Sequence, residues 1–175
     1  MPGVLRRAAA FWLCLAAANI AASADASREI PIGGTLVDAT LQGLNGPSRK
    51  LSEFRGKPMI INVWASWCGP CRAEMASLER LAWRDQGKAV TIIGISTDDS
   101  VDDARAWLKQ SNATLNQFID QRLQMEHMLG ASRLPLTVLV DSHGRVLERI
   151  YGAREWDSPE SIAFVSRTFH PGAGP

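Results

Sequence analysis

Apolar residues in the chain form short continuous runs that alternate with segments of helical periodicity. The runs over 59–65 (Met-Ile-Ile-Asn-Val-Trp-Ala) and 89–96 (Ala-Val-Thr-Ile-Ile-Gly-Ile-Ser) are typical of central strands covered on both faces. Between them, apolar residues at helical spacing predict a helix over 70–86, closed by Gly87. A strand–helix–strand order of this kind implies a parallel, right-handed crossover.

Shorter patterns on either side of this unit predict the edges of the same sheet. Residues 35–41 alternate like a strand, and Asn45-Gly46 marks a turn before Arg49-Lys50-Leu51, which together predict a β-hairpin. Further along we expect a helix over 98–110, a strand over 115–119, a short helix over 123–129, an antiparallel hairpin of 136–140 with 146–151, and a last helix over 158–169. The fold class is therefore α/β, with a central mixed β-sheet flanked by helices.

Composition limits the size of the domain and its partners. The chain has 175 residues, of which 46% are hydrophobic, and this is enough for one sizeable core in a single domain. Its 19 basic and 18 acidic residues give a net charge of +1, so no broad electrostatic field steers it toward nucleic acid. We therefore expect no nucleic-acid partner.

The first 24 residues differ from the rest of the chain. Arg6 and Arg7 precede an uncharged stretch over 8–22, and Ala22-Ser23-Ala24 has the small-residue pattern of a signal-peptidase site. This predicts a signal peptide over 1–24 and export from the cytoplasm. An uncleaved anchor stays open, because the stretch falls only a little short of the roughly 20 residues that span a bilayer. After it we expect a flexible leader over 25–34, a folded domain over 35–170 and a loose tail over 171–175.

Three cysteines restrict the chemistry. Cys14 lies in the predicted signal peptide, which leaves Cys68 and Cys71 in the mature chain. A disulfide between residues three positions apart closes so small a loop that it constrains the unfolded chain very little, so stability is a poor reason for it. A zinc site would need two further ligands, and the histidines are scattered along the chain, at His127, His143 and His170. We therefore expect neither a metal nor a cofactor.

The placement of the two cysteines fits a catalytic dithiol. Such a dithiol needs one sulfur that ionises easily and a second that can displace it from a mixed disulfide. Cys68 falls where the predicted strand ends and the helix begins, so free backbone N–H groups and the helix dipole favour its thiolate. Cys71 lies one turn further on, and the spacer Gly69-Pro70 lets the sulfurs meet. We therefore assign Cys68 as the nucleophile and Cys71 as the resolving thiol.

A longer stretch around the cysteines carries a family resemblance. The chain resembles the exported TlpA/ResA/CcmG branch of the thioredoxin superfamily in the stretch Asn62-Val63-Trp64-Ala65-Ser66-Trp67-Cys68-Gly69-Pro70-Cys71-Arg72-Ala73-Glu74. It resembles the second signature of that branch in Arg133-Leu134-Pro135-Leu136-Thr137. The similarity extends over roughly residues 30–169. It implies a thioredoxin fold with an N-terminal β-hairpin and an inserted strand–helix unit between the two signatures.

The resemblance also implies a substrate-binding edge. Pro135 would be a cis-proline that faces the dithiol, and the backbone of Leu134 would pair with an extended substrate segment beside Cys68. Arg133 stands where the family often has Gly or Ser, and it would favour partners with acidic surfaces. The expected substrate-binding residues are Trp67, Gly69, Pro70 and Leu134.

Glu74 matches an acidic residue of the same branch and is the expected proton acceptor. Cytoplasmic thioredoxins carry a buried Asp at the position of Asn62, so that acceptor is absent here. A half-buried Glu74 carboxylate with a raised pKa could instead take the proton from Cys71 during its attack. The alternative is a solvated helix glutamate. Trp64 is expected in the core, Trp67 on the surface, and the remaining tryptophans in structural positions.

These features favour a periplasmic reductase, recharged by a membrane thiol carrier of the DsbD or CcdA kind. Thioredoxin, which shares the Gly-Pro spacer, has a potential near about −270 mV, far below the about −120 mV of strong oxidants. By resemblance, the protein would be a monomer acting on disulfides of exported proteins, such as the CxxCH cysteines of apocytochrome c or copper-site cysteines of oxidase assembly factors. The alternatives are an oxidase or isomerase of secreted proteins and a copper-binding chaperone that uses His143. A peroxidase is disfavoured, because its reactive cysteine is generally solitary.

Overall fold

The computed structural model describes residues 28–85 and 88–172, which form one seven-stranded sheet with helices on both faces. The strands are β1 (Thr40–Gly43), β2 (Arg49–Lys50), β3 (Met59–Trp64), β4 (Thr91–Ser96), β5 (Asn116–Ile119), β6 (Leu136–Val140) and β7 (Val146–Tyr151). The helices are α1 (Gly69–Asp85), α2 (Val101–Ser111), α3 (Gln124–Leu129) and α4 (Pro159–Phe169), and a 3₁₀ turn covers Leu51–Phe54.

The sheet is mixed, with strand order β2-β1-β5-β4-β3-β6-β7. Strands β3, β4 and β5 run parallel, and β6 and β7 continue the sheet in antiparallel pairing from β3. On the other side, β1 pairs antiparallel with β5 and with β2, so the predicted N-terminal hairpin forms one sheet edge. The predicted α/β thioredoxin fold is therefore confirmed.

Alternation along β3 divides the core between the two faces of the sheet. Ile61 and Val63 pack in a cluster with Met125 and Met128 of α3. Ile60 packs instead with Leu78 of α1 and with α4. All six residues of β3 are buried, as the continuous apolar run predicts, and each fully buried Ile or Val contributes roughly 1.5–3 kcal/mol relative to an exposed one. The turn that follows β3 is therefore attached to a strand that is buried along its whole length.

Two elements begin three or more residues later than predicted, whereas the starts of the others agree to within two residues. The first strand begins at Thr40, not at 35, and Thr35 makes only an isolated bridge to Arg145. Helix α2 begins at Val101, not at 98, because Ser100 is its N-cap and accepts a hydrogen bond from the Asp103 N–H at 3.2 Å. Asp98 therefore lies outside the helix, and its contact with Ser66 is described below.

The described part of the predicted leader is held against the domain. Ile30 N–H donates to the Met128 carbonyl at 3.0 Å, Gly33 N–H donates to the Val146 carbonyl at 2.8 Å, and the Arg149 guanidinium donates to the Ile30 carbonyl. These bonds tie this segment to α3 and β7 in place of a free leader. The predicted signal peptide, and residues 173–175 of the tail, lie outside the described residues. None of the helices within 28–85 and 88–172 is long and apolar enough to cross a membrane.

Candidate active site

The two cysteines lie at the carboxyl end of β3, where the chain turns into α1. Cys68 N–H donates to the Ala65 carbonyl at 3.1 Å, which closes a tight turn, and α1 begins at Gly69. Cys68 and Cys71 are joined by a disulfide with an S–S distance of 1.99 Å and a Cα–Cα distance of 5.3 Å. The structure therefore shows the dithiol in its oxidised form, at the first turn of the helix.

The two sulfurs are not equivalent. Cys68 keeps 6% of its surface exposed, whereas Cys71 is completely buried. Cys71 N–H points at Cys68 Sγ, with a distance of 3.2 Å between N and S. A donor at the N-terminus of a helix favours the negatively charged form of a sulfur, as the helix dipole also does. The geometry therefore supports Cys68 as the nucleophile and Cys71 as the resolving thiol, with Gly69 and Pro70 exposed between them.

The second signature lies beside the dithiol because β6 pairs with β3. The Leu134–Pro135 peptide bond is cis, and β6 begins directly afterwards, with Leu136 opposite Val63. Leu134 is half-buried and packs against the cluster that contains both cysteines. The fold thus brings together Cys71 and Leu134, which lie more than 60 residues apart in the sequence. As a result, the backbone edge just before Pro135 lies next to the disulfide.

Glu74 lies one turn after Cys71 and faces the interior. It is only 2% exposed, so the half-buried and solvated positions considered from sequence are both replaced by a buried one. One carboxylate oxygen accepts from Asn62 Nδ2 at 2.7 Å, and the other accepts from Arg154 N–H and Trp156 Nε1, each at 3.1 Å. Burial raises the pKa of Glu74 above its usual 4.5, and these three hydrogen bonds act in the opposite direction.

The tryptophans within the described residues divide into buried and exposed sets. Trp64 is completely buried, donates from Nε1 to Gln117 Oε1 at 2.9 Å, and packs against the ring of Trp107 at a centroid distance of 4.9 Å. Trp67 is 72% exposed beside the nucleophile. Trp83 was expected to be structural, but it is 68% exposed on α1, so that expectation was wrong for this residue.

Comparison with known proteins gives the same assignment as the geometry. The sequence profile of the AhpC/TSA family matches residues 32–149, which is more than half of the chain. The chain belongs to the AhpC/TSA family. It is similar to the thiol-disulfide oxidoreductase ResA of Geobacillus thermodenitrificans, with 29% identity over 70% of this chain and 71% of that protein. It is also similar to the thiol:disulfide interchange protein DsbE of Vibrio cholerae, with 34% identity over 71% of this chain and 69% of that protein.

Solved structures agree with these relatives. A Chlorobium tepidum protein described as a candidate DsbE superposes with a TM-score of 0.73 at 26% identity, over 80% of this chain and 99% of that one. This member of the AhpC/TSA family is therefore a thiol–disulfide oxidoreductase of the ResA and DsbE type, with Cys68 and Cys71 at the position that such chemistry requires.

Asn62 connects Glu74 to the second signature, a contact that sequence reasoning missed. Its Nδ2 donates both to Glu74 Oε1 at 2.7 Å and to Thr137 Oγ1 at 3.1 Å. Its Oδ1 is buried and has no hydrogen-bond partner among the described residues. The signal in the sequence is a lone polar residue inside an apolar strand, because a polar side chain buried there needs partners.

A second missed pair is Asp98 with Ser66. Asp98 is 3% exposed and follows β4, and its carboxylate accepts from Ser66 N–H at 2.9 Å and Ser66 Oγ at 2.7 Å. It also accepts from Ser96 Oγ at 2.7 Å. Ser66 belongs to the turn that ends at Cys68, so Asp98 holds the active-site turn in place. Because adjacent parallel strands end at the same edge of a sheet, an Asp just after β4 was a readable signal.

The structure separates His143, the histidine of the copper alternative, from the two cysteines. His143 lies in the turn between β6 and β7, at the opposite end of β6 from Pro135. Within 28–85 and 88–172, no three His, Cys, Asp or Glu side chains converge as a metal site would require. A copper site would therefore have to be built on the two cysteines without His143.

Proposed function

We propose that this protein is a periplasmic reductase of disulfides in exported proteins. The observation that carries the proposal is the placement of Cys68 at the N-terminus of α1, beside the cis-Pro135 edge and with Cys71 buried behind it. This arrangement leaves one sulfur for the substrate and keeps the other for the internal step. An extended substrate segment would pair with the backbone of Leu134, as strands add to a free edge.

The reaction starts from the reduced dithiol. The Cys68 thiolate attacks one sulfur of the target disulfide, that S–S bond breaks, and the second target sulfur leaves as a thiolate and takes up a proton. Cys71 then loses its proton and attacks Cys68 Sγ. This forms the Cys68–Cys71 disulfide and releases the first target sulfur as a thiolate. Two electrons have passed to the target, and two must return from a dithiol donor.

Glu74 is the group we assign to receive the proton of Cys71. It lies one helical turn beyond Cys71 and is buried, and burial raises its pKa above the usual 4.5, so its protonated form is favoured more than that of a solvated glutamate. Its three donors keep the carboxylate satisfied when it is ionised. Glu74 can therefore accept the proton during resolution and release it afterwards.

Location and partners follow from the predicted export signal and the family. Arg6, Arg7 and the uncharged stretch over 8–22 support export, with the domain either released after cleavage or anchored to the inner membrane. In that compartment a membrane thiol carrier of the DsbD or CcdA kind would return the two electrons. Apocytochrome c and copper-site cysteines are the substrates we propose by resemblance to the branch. A monomer suffices for this chemistry.

The test is the reduction potential of the Cys68–Cys71 pair. The protein is equilibrated in glutathione or dithiothreitol buffers, and the redox state is followed by the fluorescence of Trp67, with Trp67→Phe to verify the source of the signal. A potential at or below about −230 mV is expected for a reductase. A potential near about −120 mV would overturn the proposal and favour the oxidase of secreted proteins. The Cys71→Ser variant, which cannot resolve, should accumulate the mixed disulfide and identify the substrate.

A further inference from the structure

The residue before the substrate-pairing edge is a cation with a defined position. Arg133 is exposed and directly precedes Leu134 and cis-Pro135. Its guanidinium carbon lies 4.8 Å from the centroid of the Tyr151 ring. A guanidinium stacked on an aromatic face is held by the ring while its N–H donors, which lie in the guanidinium plane, stay available.

The ring beneath Arg133 is itself anchored. Tyr151 pairs with Leu136 in the β6–β7 ladder, and its hydroxyl donates to the Gly130 carbonyl at 2.6 Å. Both ends of the side chain are therefore fixed relative to Pro135. A cation stacked on such a support loses less conformational freedom when it binds a partner than a freely rotating surface arginine does.

Several acidic residues of the domain already have partners within the protein. Asp120 accepts from the N–H groups of Gln124 and Glu126, and Asp98 is bound to Ser66. Glu155 and Asp157 both pair with Arg80. Within 28–85 and 88–172, Arg133 forms none of the ion pairs, so its charge is not neutralised by the described part of the chain.

Arg72 adds a second cation on the helix side of the disulfide. It lies four residues after Cys68, and its N–H donates to the Cys68 carbonyl at 3.2 Å, so it occupies the next turn above the nucleophile. It is exposed and, like Arg133, has no ion-pair partner among the described residues. The feature that sets Arg133 and Arg72 apart from the other arginines without an ion pair is their position, next to Leu134 and to Cys68 in the chain.

We infer that Arg133, assisted by Arg72, selects disulfide substrates that carry Asp or Glu within a few residues of the reacting cysteine. This rests on the proposed function and narrows its substrate class. The acidic side chain meets the stacked guanidinium while the substrate backbone pairs with Leu134, and Trp67 supplies apolar contact on the other side of the nucleophile. Charges at the rim of a contact act mainly on the association rate and its salt dependence.

The test uses two disulfide-bonded peptides with the same sequence, except that Asp flanks the cysteine in one and Lys flanks it in the other. Their rates of reduction by the fully reduced protein are measured by stopped-flow fluorescence. Each rate is divided by the rate with the neutral disulfide of 2-mercaptoethanol, which reports the intrinsic reactivity of the dithiol. We expect the Asp peptide to be preferred about fivefold or more at low salt, and the preference to fall as KCl is added.

Variants assign that preference to a residue. Arg133→Gln should remove most of it, Arg133→Glu should reverse it, and Arg133→Lys should retain part of it, because the charge remains but the planar stack is lost. Arg167→Gln is the control, since Arg167 is exposed in the last turn of α4, far from Pro135.

Two outcomes separate this inference from the proposed function. An Asp-to-Lys rate ratio that is the same in the wild type, Arg133→Gln and Arg133→Glu would overturn the inference, even if the reduction potential is that of a reductase. A potential near that of strong oxidants would overturn the reductase proposal, while an intact rate ratio would still show that Arg133 selects acidic segments.

Discussion

Asp98 is the residue whose replacement tests most directly how the active-site turn is held. Its carboxylate accepts from the backbone and hydroxyl of Ser66 and from the hydroxyl of Ser96, and Ser96 is completely buried. In Asp98→Ala all three donors lose their acceptor. In Asp98→Asn the side-chain oxygen can still accept from Ser66, and the new amide can donate to Ser96.

The magnitudes follow from these contacts. A hydrogen bond to a charged group contributes about 1.5–3 kcal/mol, and a buried donor left without a partner costs about 1–3 kcal/mol. Water can reach the half-buried Ser66 but not Ser96, so the three losses do not add fully. We expect Asp98→Ala to lower the free energy of unfolding by about 3 kcal/mol and Asp98→Asn by about 1 kcal/mol. At roughly 2–4 °C per kcal/mol, the alanine variant should melt about 6–12 °C lower.

The assay is urea unfolding of the oxidised protein, with the midpoint compared at constant slope. Asp99→Ala is the matched control, because Asp99 is the exposed neighbour, and its loss should change stability by less than about 0.5 kcal/mol. In the reduced protein, the rate of alkylation of Cys68 should change in Asp98→Ala more than in Asp98→Asn, since the turn loosens. A cost below about 1 kcal/mol for the alanine variant, or equal costs for both variants, would refute the assigned role.

Three further changes have expected outcomes. Because the pKa of Glu74 is higher in the folded protein than its usual 4.5, stability should fall as pH rises from about 4.5 through the folded pKa and then level off. The urea midpoints of Glu74→Gln should lack this decline. A pH profile of Glu74→Gln identical to that of the wild type would contradict the expectation. In Gly94→Ala the new methyl group would lie 1.9 Å from Gln117 Oε1, so we expect the free energy of unfolding, measured by thermal unfolding, to fall by about 2 kcal/mol. Gly46→Ala is the control, because a methyl group at Gly46 would meet no atom within 4 Å and should cause no comparable loss. Trp67→Ala should leave stability within about 0.5 kcal/mol yet slow the reduction of peptide disulfides, and equal rates for the two proteins would show that Trp67 takes no part in binding.

Local periodicity was sufficient for most of the fold. The apolar run over 59–65 predicted β3 to within one residue of Met59–Trp64, because a strand buried on both faces needs apolar residues at nearly every position. The alternation over 35–41 was misleading, since Leu36 is buried but its N–H donates to the Gly144 carbonyl and not to a neighbouring strand. Alternation reports which side chains are buried, whereas strand assignment depends on where the backbone bonds go.

The site was predictable only where its signal is local. Cys68 and Cys71 are close in sequence, and the Leu134-Pro135 pair belongs to a recognisable signature. The Ser66–Asp98 contact joins residues 32 positions apart. Neither segment alone carries a signal for this contact, which can be predicted only by combining the parallel pairing of β3 and β4 with the position of Asp98 just after β4. The depth of Glu74 was underestimated for the same reason, because Trp156 covers it from a loop 82 residues away.

Among the described residues, no donor reaches the buried side-chain oxygen of Asn62 in the network around Glu74. Both hydrogens of the Asn62 amide are used, by Glu74 and Thr137, whereas Oδ1 receives no hydrogen from residues 28–85 or 88–172. A proton added to Glu74 would be the missing donor, and a half-turn of the amide would present Oδ1 to receive it. An aspartate at this position would instead place a second negative charge 2.7 Å from the first. The neutral amide thus suits both the charged and the uncharged form of Glu74, as the proposed proton transfer from Cys71 requires.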